Sequence, residues 1–200
     1  MDPTTLDPAA RPEASTRYAA DGYLALRGLF DGAEVAAWRD ECDRVFSIPG
    51  VVRKGNLRTR SRPSESGQPV IDRLDPVTDM SPVLRRLADD PRALEAAAIA
   101  LGQRPVLFKD KLITKPPGTH GYGVHQDYMR WQFLPVPPEG VATVAVAFDP
   151  ASAQSGAVEV FRDQHSRLLT PPGIVADPAE EDLDMGAVEP VSLQPGDVLL

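Results

Sequence analysis

Val124-His125-Gln126-Asp127-Tyr128, reached through Lys109-Asp110-Lys111-Leu112-Ile113-Thr114-Lys115-Pro116-Pro117-Gly118, is the stretch on which the reading of this chain turns. His125 and Asp127 stand two residues apart, so on a strand both side chains point to the same face. An imidazole and a carboxylate on one face can fill two adjacent positions of an octahedral divalent metal, as in the 2-His-1-carboxylate triad that holds Fe(II). Alone the triplet is a weak signal, because such spacings arise by chance. Its flanks give it weight.

The 200 residues suffice for one domain with a real core, or for part of a larger one. A composition of 42% hydrophobic and 25% charged residues is that of a globular protein, and the net charge of −8 argues against nucleic acid or an anionic membrane as the main partner. Cys42 is the single cysteine, which excludes a disulfide framework and a thiolate-rich metal site. The N-terminus has neither the basic nor the apolar region of a signal peptide, and no apolar run approaches the roughly 20 residues of a membrane span. The expected compartment is the cytoplasm.

Residues 1–16, rich in Pro, Thr and Ala, read as a flexible arm, followed by a helical part over 17–105 and a β part over 106–200 that function as a single domain. Residues 23–30 read as a short strand or extended lead-in. A helix is expected over about 31–47, with Asp31 as cap, Glu34 completing a capping box, and Val35, Trp38, Cys42 and Val45 along one face. Ser81-Pro82 and Asp90-Pro91 each open a further helix, the second closing at Leu101-Gly102. Between them and the first lies a basic loop, 49–68, with Arg53, Lys54, Arg58, Arg60 and Arg62. It reads either as a solvated loop or as a lid whose cations, Arg58 and Arg60 foremost, meet an anionic substrate.

Beyond Pro105 the texture changes to short strands: 106–108, 111–114, 141–148, and 157–161, the last expected to pair with 141–148 across the turn at 149–156. The acidic insert with Asp177, Glu180, Glu181, Asp182 and Asp184 reads as a surface loop. Strands at such intervals indicate a sandwich or jelly roll. Residues 191–200 form a turn and the opening of an apolar strand, so Leu200 reads as a truncation, since a natural end there would leave a sheet edge unpaired.

With its motifs in this order, the chain resembles the phytanoyl-CoA dioxygenase-like family of Fe(II)/2-oxoglutarate oxygenases. The likeness rests on residues 21–30, on 109–118 with His125-Gln126-Asp127, on Ser155-Gly156-Ala157-Val158-Glu159-Val160, and on Gln194-Pro195-Gly196-Asp197-Val198. The resemblance implies a mainly β fold with α, a double-stranded β-helix (jelly roll) with N-terminal helices packed outside, incomplete at the C-terminus. It implies Fe(II) as cofactor and 2-oxoglutarate and O2 as cosubstrates, with His125 and Asp127 as metal ligands and catalytic residues. A third ligand, a histidine roughly ten residues past the Pro195-Gly196-Asp197 turn, and an arginine for 2-oxoglutarate would lie beyond Leu200. Iron halogenases of this general kind replace the carboxylate with Gly or Ala, so Asp127 favours hydroxylation or a related oxidation.

The remaining candidates carry alternatives. The resemblance places Lys111 near the cosubstrate or substrate, and Lys109 shares its face on a strand; both can also be solvated strand lysines. Thr143 can reach the cosubstrate from the next strand. Tyr128 and Trp131 can wall a substrate pocket or simply pack. His120 reads as a loop residue. His165 stands where the family carries a structural histidine, and is not taken as the third ligand. The leading function is hydroxylation of an aliphatic carbon of a small molecule, with an acidic group on the substrate compatible with the basic loop. The competing readings are a catalytically silent jelly-roll binding module and a cupin-like metal isomerase or dioxygenase.

Overall fold

A computed structural model describes residues 10–200 apart from Lys54, Pro172 and Val175, so Lys54 and the first nine residues of the expected arm lie outside the described residues. The rest of that arm is not an arm. Helix α1 spans Arg11–Asp21, with a proline in its first turn, Glu13 near its N-terminus and Gly22 as a left-handed C-cap donating to Tyr18 O at 2.8 Å. Packing adds to these local signals, since so short a helix is marginal by itself. Ala14 and Tyr18 lie against the helical core, and Ser15 Oγ donates to Ile99 O at 3.2 Å.

The other helices begin where side-chain caps place them. α2 (Gly32–Phe46) opens on the expected capping box, Asp31 Oδ1 accepting from Ala33 N and Glu34 N at 2.8 and 2.9 Å while Glu34 Oε2 accepts from Asp31 N at 2.9 Å. Val35, Trp38 and Val45 are buried as expected, but Cys42 is only half-buried and Glu41 is buried instead. α3 (Pro82–Ala88) and α4 (Pro91–Leu101) are capped by Ser81 and Asp90. Ser81 also donates to Glu41, which takes Arg44 in two further bonds, and this makes a buried carboxylate tolerable.

Strand β1 (Ala25–Leu26) pairs with β8 (Val198–Leu199), and β8 pairs on its other side with β5 (Ala145–Val146), all antiparallel. Leu26, Val198 and Val146 stand abreast on the face that meets the helices, while Ala25, Leu199 and Ala145 stand abreast on the opposite face. The alternation of period two thus splits the molecule into two apolar layers. The larger unites the helices with β8 and Leu74; the smaller joins Leu199 to Val191, Leu193 and Val160. Gly196 lets the turn before β8 run close beneath Phe30: its φ is +90°, and a side chain there would strike the Phe30 carbonyl.

The β half departs from expectation in partners more than in position. β6 (Val158–Phe161) pairs with β7 (Val188–Val191), not with 141–148. The hairpin foreseen across 149–156 is replaced by a capped turn at Ser152–Ser155 and a bridge from Ala151 to Leu193. Hydrophobic alternation states which face is buried but not which strand is the neighbour. Half of the basic loop is a hairpin, β2 (Thr59–Pro63) against β3 (Pro69–Leu74), with a bulge between Arg60 and Ser61. β4 (Leu112–Ile113) extends that sheet, whereas Val106-Leu107-Phe108 forms no strand and leaves Val106 87% and Phe108 53% exposed. The acidic insert carries only short 3-10 turns. No described helix is long and apolar enough to cross a membrane.

Candidate functional site

His125 and Asp127 do not lie on a strand; Asp127 begins a 3-10 turn, Asp127–Arg130. The spacing works nevertheless, because Gln126 between them is extended at φ −106° and ψ 122°. The two functional groups therefore converge, His125 Nε2 standing 3.3 Å from Asp127 Oδ1. The Gln126 side chain turns away and fixes the triplet to the chain beyond β6: its Nε2 donates to Arg167 O at 2.9 Å and its Oε1 accepts from Leu169 N at 2.8 Å. Sequence reading passed over Gln126, since nothing marks the middle of such a triplet except the extended geometry itself.

The outer atoms of both groups are committed. His125 Nδ1 lies 2.8 Å from Gly123 O, and a carbonyl only accepts, so Nδ1 carries the proton. A neutral ring then presents a lone pair at Nε2 toward a carboxylate that also offers only lone pairs. Such an opposition needs a positive charge, either a second proton on the ring or a metal ion. Asp127 accordingly holds the imidazole above its ordinary pKa against the opposing effect of burial. The Asp127 carboxyl is pushed far below the usual carboxylate range, first by His125, then by Thr143 and the charge of Lys111. Thr143 Oγ1 donates to Asp127 Oδ2 at 2.6 Å, which leaves Oδ1 to face the histidine. Among the described residues, no cluster of three or more His, Cys, Asp or Glu side chains could hold a metal.

The other expected residues are dispersed. Lys109 Nζ sits 2.7 Å from Asp75 and 4.9 Å over the ring of Trp131, and the charge of Lys111 is felt at Asp127. Trp131 stacks edge-on with Phe108 and Phe133, and Tyr128 donates to Val136 O at 2.9 Å. Arg58 is bound through both terminal nitrogens to Asp79, at 2.6 and 2.9 Å. Arg60 is exposed, opposite Arg73 on β3. His120 is exposed, and His165 binds Ala19 O near the end of α1. Two partners went unforeseen: Arg130, paired with Asp177 of the acidic insert at 2.8 Å, and Arg62, which reaches the loop before His125. The every-second spacing of Arg60 and Arg62 was the available sign that this part of the loop is a strand.

Solved structures with this architecture include enzymes that use 2-oxoglutarate and a non-haem metal. The α-ketoglutarate-dependent epimerase SnoN of nogalamycin biosynthesis matches with a TM-score of 0.72 at 26% identity, over 96% of this chain and 73% of that one. EctD from S. alaskensis with 2-oxoglutarate and 5-hydroxyectoine matches in fold with a TM-score of 0.73 at 21% identity, over 100% of this chain and 71% of that one. The chain belongs to the phytanoyl-CoA dioxygenase (PhyH) family, whose sequence pattern it matches over residues 18–200. It is similar to the ectoine dioxygenase of Bordetella bronchiseptica, 28% identical over 184 residues that cover 88% of this chain. It is also similar to the methylphosphonate hydroxylase of Gimesia maris, 26% identical over 92% of this chain and 68% of that one. The chain spans 58% of the length of the Bordetella relative.

Proposed function

We propose that the protein is a non-haem Fe(II)/2-oxoglutarate-dependent dioxygenase that hydroxylates an aliphatic carbon of a small molecule. The observation that carries this reading is the opposed pair of lone-pair donors, His125 Nε2 and Asp127 Oδ1 at 3.3 Å, each with its outer atom already held. Imidazole and carboxylate are the donor set of a facial-triad iron site, and outer bonds of this kind orient ligands for a metal. The remaining histidine, and the arginine that would receive 2-oxoglutarate, are placed outside these 200 residues. The two apolar layers are read as part of a jelly roll that the whole protein completes.

When bound, iron would let O2 and 2-oxoglutarate convert a C–H bond to C–OH, one oxygen atom entering the product and the other succinate as CO2 leaves. The chain's own contributions are positional. Gly123 O fixes the ring so that Nε2 points inward, Thr143 orients the carboxylate, and Lys111 supplies positive charge beside Asp127 for a dicarboxylate cosubstrate. Trp131 and Tyr128 are proposed to line the approach. The names of the relatives that act on phosphonates support a substrate with an acidic group. Arg58 is engaged by Asp79, so that reading draws on Arg60, which has no carboxylate partner among the described residues.

The test uses the whole protein supplied with Fe(II), 2-oxoglutarate and O2. Asp127→Ala is expected to reduce succinate formation, followed by mass spectrometry, to background. Succinate made at the unmutated rate would remove Asp127 from the site and the assignment with it.

A further inference from the structure

We infer that Arg62 is a positioning residue for the His125–Asp127 pair, holding in place the loop whose next carbonyl sets the histidine ring. The inference rests on the metal-site reading above. Arg62 Nη1 donates to the carbonyls of His120 and Gly121 at 2.9 and 3.0 Å. Its guanidinium lies 4.0 Å over the ring of Tyr122. Gly123 follows directly, and its carbonyl receives His125 Nδ1. One side chain thus grips three consecutive residues upstream of the carbonyl that decides which nitrogen of His125 is free.

The grip is anchored on the other side. Arg62 Nε lies 2.8 Å from Oδ1 of Asp72, an ionic contact in which the N–H is not aimed along the line, and Tyr122 Oη donates to the same oxygen at 2.7 Å. Asp72, on β3, is only 6% exposed, so its charge is compensated chiefly by Arg62 and by the hydroxyl of Tyr122. Burial and the neighbouring carboxylate raise the Tyr122 pKa, which keeps the hydroxyl a donor. Farther out, Glu65 N donates to Gly118 O and Ser64 bridges Thr119, so the β2–β3 hairpin lies along the whole lead-in to the triplet. A planar fork that binds carbonyls and carboxylate while stacking on a ring is work for arginine and not for lysine.

The experiment measures two quantities on the whole protein: the Mn(II) dissociation constant by calorimetry, and amide exchange at residues 119–125 in metal-free protein. Arg62→Gln is expected to raise the dissociation constant about tenfold, as loss of an outer-sphere partner does, and to speed exchange at 119–125 while α2 and α4 keep theirs. Arg62→Lys is expected to follow the glutamine variant, and Tyr122→Phe to fall between it and the unmutated protein. Arg85→Gln, which breaks an exposed ion pair on α3, is expected to change neither. Should Arg62→Gln not fold, Tyr122→Phe decides by the same two measurements. Unmutated affinity and exchange in the folded variants would overturn the inference. Absence of Mn(II) binding by the unmutated protein would overturn the metal-site reading instead, and faster exchange in the variants would still support the hold of Arg62 on the loop.

Discussion

The helical layer and the segment that carries His125 are held by different means. Around α2 and α4 the side chains are apolar and close-packed: Val35, Trp38, Val45, Ala96 and Ile99 are all buried, with Phe30 set edge-on to Trp38 at 5.0 Å. From Val106 to Val158 the chain leaves large apolar residues in the open, Phe108 and Phe133 among them, and only Met129 is buried near the triplet. Order there comes from directed bonds made by Gln126, Gln132, Thr143, Arg130 and Arg62. Hydrophobic burial fixes a layer without regard to angle, whereas hydrogen bonds fix angle and contribute little net stability each. Stability and site geometry are therefore lodged in separate residues, and each can be damaged alone.

The largest stability effect is expected from the helical layer. Trp38→Ala removes a ring packed against both Phe30 and Phe148 and should cost about 3–5 kcal/mol, read from denaturant unfolding. A loss below about 1 kcal/mol would mean that this layer is not the core. A smaller effect is expected from acid. Glu41 is held at about 2, well below the usual 4.5, chiefly by Arg44 with help from Ser81. A depressed carboxyl stabilises the fold above its unfolded value and loses that contribution as pH falls. Stability should therefore decline between pH 4.5 and about 2, and Glu41→Gln should flatten that part of the profile; an unchanged profile would detach Glu41 from it. The smallest stability effect belongs to the site. Thr143→Val should leave the unfolding midpoint within about 0.5 kcal/mol equivalent, as a substitution outside the core does, while weakening Mn(II) binding about tenfold. Equal damage to both would erase the contrast between the two regions.

How far the sequence could be read follows the same division. Asp31 with Glu34, Ser81-Pro82, Asp90-Pro91 and Gly102 are local signals, and each marks a helix end where it was expected. The pairing of His125 with Asp127 was legible from spacing because one extended residue suffices to align two neighbours. Strand partners were not legible. Val141 to Phe148 alternates as a strand should, but its partner β8 lies some fifty residues on, and β6 finds β7 across the acidic insert. α1 has end signals in Pro12 and Gly22 but no side-chain N-cap and no fully buried residue to mark it, and it packs against α4. The roles of Thr143, Gln126 and Arg62 were obscure for the related reason that each acts through a partner distant in sequence.

The carboxylate of Asp197 is buried and receives Gly28 N at 2.7 Å, Gln194 N at 2.9 Å and Arg27 at 2.8 Å, a join between positions 169 residues apart. On a ribosome adding about 5–20 residues per second, strand β1 waits roughly 10–35 s for β8 to be made. Throughout that interval Leu24, Leu26 and Phe30 have no sheet to cover them. The sheet that covers them can close only once β8 has been made, so this join is a late step of synthesis.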